Sequence, residues 1–432
     1  MTLKISKRSI PYFLSILILF GSCYFTSLWS ATIIPGMGKR VSLTLFATLI
    51  LSWMSLSRHG KGLPMTANVL LITMISIVIY GWITVRDPAT EGYVSIITVY
   101  FIMMIIMRDE RWLSYFWNLS ICAAFFYIIT TIWLSADTNS VFKLFATNLY
   151  PNENRFTFWI SQGFCFGVTD HYSTNGMALA NASIVIGTMT IVGGKKKRYS
   201  IALLLSVVAL FLTGKRAHLL FTFISLVLSI YIYRYYEKQR DLKFAILFIG
   251  MLIAVSFAYC FIPQVQDVLS RFGNTSTDEN MLLRFSFWRA AIEAFSEKPL
   301  LGVGWFGFRN SVAPTVGYTG HCHNVYIQLL CETGILGTSI FMAWFVYSLC
   351  LSVRFALYVA RNKKTIQNGY QILSIYSIAY QIYFLLYCLT GNPLYDAYAY
   401  PMYMVACTIG IYYHNKRESL INACEKNSWR MA

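Results

Sequence analysis

Charge is what this sequence has least of. Only 12% of its 432 residues are Asp, Glu, Lys or Arg, and 18 acidic residues face 35 basic ones, whereas an ordinary soluble domain is about 25% charged. That scarcity excludes a chain solvated on all sides. Missing too are a Walker loop, a dinucleotide fingerprint, a His-Glu-x-x-His helix and a Gly-x-Ser-x-Gly turn. Chemistry driven by nucleotide hydrolysis within the chain is therefore not expected. No repeat of 20–50 residues and no pair of matched halves stands out, and the apolar runs contain essentially no Asp, Glu, Lys or Arg in their interiors. Both absences count against a transporter, which needs ionisable groups near the membrane midplane.

What the sequence has instead is apolar length. It is 57% hydrophobic with a mean hydropathy of +0.55, and runs of the length that crosses about 30 Å of hydrocarbon recur from end to end. The expected fold is all-α: one polytopic membrane bundle spanning residues 1–432, with about twelve transmembrane helices. The expected spans are 10–28, 41–56, 67–85, 93–107, 115–134, 176–193, 200–213, 219–233, 244–262, 334–352, 371–389 and 398–413. Loops rich in Lys and Arg beside such spans stay in the cytoplasm. Placing Lys4, Lys7 and Arg8 inside puts 23 of the 35 basic residues in short inner segments, so both termini are expected to be cytoplasmic. The net charge of +17 then faces the inner leaflet, where anionic lipid and topology account for it. Nucleic acid is not an expected partner. The first apolar run follows a basic start and reads as an uncleaved helix rather than a cleaved signal. Most of the ten cysteines lie within spans and read as small apolar residues. Cys165, Cys322 and Cys331 lie outside them, but no spacing marks a disulfide framework.

Two outer loops, 135–175 and 263–333, are far longer than a connector requires, and long loops in compact proteins usually work. The first ends Asp170-His171-Tyr172-Ser173-Thr174-Asn175-Gly176, which reads either as a helix cap or as a substrate contact. In the second, Phe285, Trp288, Ala291, Ile292 and Phe295 recur at spacings of three and four. They predict a helix with one apolar face that lies in the membrane interface. Lys298-Pro299 ends it, and Gly302, Gly304 and Gly307 allow a tight backbone path.

The chemistry-bearing residues gather at the outer ends. Thr213-Gly214-Lys215-Arg216-Ala217-His218 is a short basic turn on the outer side, against the trend of the other basic residues. One explanation is snorkelling to headgroups. The other is that Arg216 holds a phosphate, since guanidinium presents a planar fork of donors. Arg284 and Arg289 add guanidinium groups on the same side, and together the three could hold a diphosphate and stabilise its departure. His323, in His321-Cys322-His323-Asn324, titrates near neutrality and could take a proton from a sugar hydroxyl. A zinc site needs three or four ligands at set spacings, and no second His or Cys cluster accompanies this one, so neither a metal nor another cofactor is expected. Glu332 reads either as the orienting partner of a histidine or as an exposed carboxylate at a helix start.

The order of these features, an Arg shortly before a Trp, then Pro-Leu-Leu-Gly-Val-Gly, then His-Asn-x9-Gly-x-x-Gly, resembles the O-antigen ligase and polysaccharide polymerase family of bacterial membrane proteins. The likeness is strongest across residues 281–337, and Leu212-Thr213-Gly214-Lys215-Arg216 adds a weaker match. The resemblance implies an enzyme of the bacterial cytoplasmic membrane that acts at its outer face. Its donor would be a glycan on undecaprenyl diphosphate and its acceptor a glycan or lipid-linked glycan, with transfer by inversion and without metal or nucleotide. It also implies that His323 is the base or hydroxyl-positioning group and that Arg216 and Arg284 grip the diphosphate. Lys215, Arg289, His321, Asn324, Trp305 and Glu332 are the accompanying substrate-binding candidates, with Trp and Tyr expected to stack on sugars. Membrane lipids, a flippase and a chain-length regulator are the partners such an enzyme would have. The Thr-Gly-Lys-Arg form and the Tyr- and Phe-rich composition favour a polymerase of O-antigen, capsule or exopolysaccharide. The alternatives are a ligase that moves O-antigen onto lipid A-core in lipopolysaccharide assembly, a transporter or flippase, and a noncatalytic subunit of an export complex.

Overall fold

The computed structural model describes residues 10–25, 62–86, 111–140, 153–169, 171–193, 197–236, 279–396 and 398–422, with a few positions between 97 and 104. Every regular element among them is helical. In chain order they are α1 (Ile10–Tyr24), α2 (Met65–Val85), α3 (Arg111–Ala136), α4 (Glu153–Ser161), α5 (Tyr172–Val192), α6 (Lys197–Leu212), α7 (Arg216–Tyr233), α8 (Glu279–Glu297), α9 (Val325–Arg361), α10 (Asn368–Tyr387), α11 (Ala399–Asn415) and α12 (Arg417–Asn422). A π turn (Phe308–Val312) and a 3-10 turn (Ala313–Val316) lie between α8 and α9, and a second 3-10 turn (Pro393–Tyr395) joins α10 to α11.

The helices sort into an inner and an outer set. α5 is buried along nearly its whole length, as are α10 and α11. α5 packs against α3, α6, α7 and α10, while α10 also contacts α7, α9 and α11. Small residues make this possible: Gly176, Ala178, Ala180, Ala182, Ser183 and Gly187 line α5, and small side chains let helix backbones approach closely inside a membrane. The outer helices turn apolar side chains outward, among them Ile72 and Ile83 on α2, Ile129 on α3, Leu204 on α6 and Val346 on α9. In water such a surface would aggregate; in a bilayer it is the lipid-facing side.

Five of the described helices are long and apolar enough to cross a membrane: α2, α3 from Trp112 onward, α5, α7 and α9. That is fewer than the twelve expected. The expected spans 41–56 and 244–262, and most of 93–107, lie outside the described residues. α1, α6, α10 and α11 coincide with expected spans but are shorter or more polar. α10 in particular has traded apolar residues for Tyr, Ser and Gln, because it faces other helices rather than lipid.

α9 is broken. Gly334 has φ 61° and ψ −168°, a backbone conformation essentially reserved for glycine. The break frees carbonyls and amides from the helical ladder, and the 298–304 loop takes them up. Val303 N–H donates to Cys331 O (2.9 Å), Gly304 N–H to Glu332 O (2.9 Å), and Ile335 N–H to Pro299 O (2.8 Å). The glycine-rich loop and the Gly-x-x-Gly after the histidines are therefore the two halves of one backbone clasp.

Candidate functional site

The clasp fixes the loop that carries the histidines, and its central residue points inward. Cys322 is fully buried in a small core with Phe287, Ala290, Ala291, Phe308, Val312, Ala313 and Cys331. Its N–H donates to Gln328 Oε1 (3.0 Å), and its carbonyl accepts from the Trp288 indole (2.9 Å). His321 and His323 flank this anchor. Trp288 lies one turn beyond Arg284 on α8, so both occupy the same helix face. Tying Trp288 to Cys322 thus brings Arg284 toward His323.

His323 has φ 55°, the left-handed region that a side chain enters only when its surroundings hold it there. Its Nδ1 lies 3.3 Å from Asn392 Nδ2. Burial pushes its imidazole pKa down to about 3, helped by the positive charge of Arg284, then Lys215, and by His321 and His171. The field at this ring therefore comes from segments far apart in sequence: α8, the start of α7, the start of α5 and the α8–α9 loop itself. At neutral pH the ring carries no proton beyond its neutral complement, which leaves one nitrogen free to accept one.

His321 belongs to a second, buried chain of hydrogen bonds. Its Nδ1 lies 3.2 Å from Gln328 Nε2, which also donates to Glu332 Oε1 (3.0 Å). The Tyr395 hydroxyl donates to Glu332 Oε2 (2.8 Å), and the backbone amides of Phe306 and Phe308 reach the same carboxyl. Burial pushes the Tyr395 hydroxyl well above its ordinary pKa, with Glu332 adding to the shift, so it stays a donor. Burial and the nearby Arg309 lower the His321 pKa to about 4. Glu332 thus supports His321 through Gln328 and is buried, not exposed at a helix start.

Lys215 opens α7, its Nζ 4.4 Å from the centre of the Tyr172 ring, a cation–π arrangement. Arg216 follows it as the first residue of α7 and is half-buried. Two residues on, His218 is fully buried: its Nδ1 is 2.9 Å from the Tyr383 hydroxyl and its Nε2 3.4 Å from Ser173 Oγ. Ser173 Oγ in turn lies 3.1 Å from the Tyr387 hydroxyl. This cluster locks the starts of α5 and α7 to the end of α10. The charge of Arg284 reaches Tyr387 as well.

Residues 201–342 match the family model described as O-antigen ligase. The matched segment is about a third of the chain. No curated protein matches the chain. The O-antigen ligase match runs from α6 to the middle of α9 and includes Lys215, Arg216, Arg284, His321, His323 and Glu332, whereas His171, Asn392 and Tyr395 lie outside it.

Within this site the structure sorts the residues singled out from the sequence. It lets the charges of Arg284 and Lys215 act on His323, with His321 two residues away on the same loop. It does not bring Arg289 to the cluster: that side chain is 84% exposed, its Nε 3.1 Å from Glu293. Asn324 caps α9, its Oδ1 accepting from Tyr326 N–H (3.0 Å) and Ile327 N–H (3.2 Å). Trp305 is 1% exposed and sandwiched by Phe341 and Tyr395 at ring distances of 5.7 and 4.9 Å, so neither face is open to a sugar. The expected apolar face of α8 is displaced. Phe287, Ala290 and Ala291 form the buried side, while Phe285 and Ile292 are exposed, because the helix has an apolar surface toward the protein and another away from it. At the start of α5, His171 supplies the cap, its Nδ1 accepting from Ser173 N–H (3.1 Å), and Asn175 is buried against Thr131. Cys165, Cys322 and Cys331 are all free thiols.

Sequence reasoning missed Trp288 as an anchor, Gln328, Asn392 and Tyr395. Gln328 had a signal, since it precedes Glu332 by one helical turn. Asn392 and Tyr395 had none, because they reach the site from the α10–α11 connection more than sixty residues on.

Proposed function

We propose that this protein is a membrane glycosyltransferase that extends polysaccharide, taking glycan repeat units from an undecaprenyl-diphosphate donor at the outer face of the bacterial cytoplasmic membrane. The observation that carries the reading is the neutral, strained His323 set beside the charges of Arg284 and Lys215, within the segment matched to O-antigen ligases. An imidazole with a free lone pair and a group of fixed cations meet the two demands of the reaction. His323 takes the proton of the acceptor hydroxyl as its oxygen forms a bond to the donor C1. The C1–O bond to the diphosphate breaks, and the departing electron pair resides on a diphosphate held by Arg284, Lys215 and Arg216. Attack opposite the leaving group inverts C1. The cations neutralise the leaving group, so no metal is required. Donor activation is already present in the diphosphate, and positioning and charge stabilisation supply the rest.

The match to a model described as O-antigen ligase favours a second reading, transfer of finished glycan to lipid A-core. The two differ only in acceptor. Purified protein in liposomes, given lipid-linked repeat units, should yield a ladder of longer lipid-linked chains. Product formed only when lipid A-core is supplied would assign the ligase reaction, and no product with either acceptor would refute glycan transfer.

A further inference from the structure

We infer that Asn392 is a positioning residue that sets the orientation and tautomer of His323. The inference rests on the reading of His323 as the proton acceptor. Three observations support it. Asn392 Nδ2 is 3.3 Å from His323 Nδ1. The other end of the same amide, Oδ1, is buried and has no hydrogen-bond partner among the described residues. His323 itself is held at φ 55°, so something beyond local backbone preference keeps the ring in place.

The segment that delivers Asn392 is firmly seated. Val325 N–H donates to Cys388 O (2.8 Å), and the Tyr326 hydroxyl donates to Leu385 O (2.8 Å), which locks the start of α9 to the end of α10. The 3-10 turn that follows Asn392 places Tyr395 on Glu332. One short segment therefore serves both histidines, His323 directly and His321 through Glu332 and Gln328.

The two ends of a side-chain amide exchange by a half-turn of the terminal group. With Nδ2 on the ring, Nδ1 is an acceptor and Nε2 carries the proton. With Oδ1 on the ring, the orphaned oxygen accepts from Nδ1–H, and Nε2 presents its lone pair to the acceptor hydroxyl. The second arrangement is the one that Asn392 enforces during transfer. The other groups facing the ring are Arg284 from α8, Lys215 at the start of α7, His171 at the start of α5 and His321 on the same loop. Arg284 and Lys215 can only donate, and the Nδ1 acceptors of His171 and His321 are taken by Ser173 N–H and Gln328 Nε2.

The experiment uses the full-length protein in liposomes with lipid-linked repeat units, comparing wild type, Asn392→Ala, Asn392→Asp and His323→Ala. Asn392→Ala should lower kcat by about 10–100-fold with little change in KM, the range typical of a lost orienting partner. Asn392→Asp keeps an acceptor on Nδ1–H and should retain more activity than Ala. Its carboxylate also raises the imidazole pKa, so the acid limb of the pH–rate profile should move to higher pH, which a purely packing role would not produce. Wild-type activity in Asn392→Ala, or an Asn392→Asp enzyme with an unshifted acid limb, would overturn the assignment. Should Asn392→Ala fail to fold, the pH profile of Asn392→Asp decides alone. An active His323→Ala would instead remove the underlying reading, whereas an inactive His323→Ala beside a normal Asn392→Ala would remove only the role of Asn392.

Discussion

A Cβ on Gly334 would lie 2.3 Å from the carbonyl oxygen of Leu300. The collision is with backbone, so no side-chain rotation relieves it, and the backbone conformation adds strain of about 1–3 kcal/mol for any other residue. Gly334→Ala should therefore prise the 298–304 loop from the α9 break and displace the histidine loop beyond it. Gly317 is the control. It also has positive φ, but nothing lies within 4 Å of its Cβ position. Thermal unfolding in detergent should show a much larger loss for Gly334→Ala than for Gly317→Ala, and equal losses would mean the clasp contributes nothing.

Arg284 and Arg289 share α8 but not a fate. His323→Ala should reduce glycan transfer by about 10²–10⁴-fold, and Arg284→Ala should also abolish measurable assembly, with both proteins still inserted and abundant. Arg289→Ala removes only an exposed ion pair and should stay within about 0.5 kcal/mol of wild-type stability with activity preserved. A crippled Arg289→Ala enzyme would place that guanidinium on the substrate after all.

Arg216→Lys tests how the start of α7 handles phosphate. Lysine keeps the charge and loses the planar fork. If Arg216 grips the diphosphate through two oxygens, KM for the lipid-linked donor should rise several-fold, and wild-type kinetics would reduce its role to general positive charge.

Trp305 separates packing from sugar recognition. Trp305→Ala opens a cavity between Phe341 and Tyr395 and should cost about 3–5 kcal/mol. Trp305→Phe keeps an aromatic ring there and should retain transfer with unchanged donor KM. A selective rise in KM in the Phe variant, at unchanged stability, would show that the indole meets substrate.

Acid should destabilise the folded protein through the two half-buried histidines of the α8–α9 loop. In the unfolded chain each takes up a proton near pH 6.5. In the folded chain they do so only near pH 4 for His321 and pH 3 for His323. Between these limits the unfolded state binds more protons, so stability falls as pH drops from about 6.5 toward 4. A His321→Gln, His323→Gln double variant should lose less thermal stability over that interval than wild type. Parallel pH curves for the two proteins would contradict neutral burial.

The sequence by itself determined that the chain is a helical membrane protein, that its interiors lack charge and that basic residues, glycines and histidines converge on one stretch. Those properties are set by composition and by local order. Apolar runs must pair their backbone groups internally, and Arg284, Trp288, Lys298–Gly304 and His321–His323 are near neighbours along the chain. Only the tertiary structure decided what each does. The glycines turned out to close a backbone clasp and Trp288 to anchor Cys322. Trp305 turned out to be core, and Asn324 a cap. Asn392, Tyr395 and His171 joined the site from distant segments. The physical reason is that a side chain's role depends on which surfaces meet across the bundle. That is settled by packing among α5, α7, α9 and α10, between residues whose separation in sequence leaves no local pattern to read.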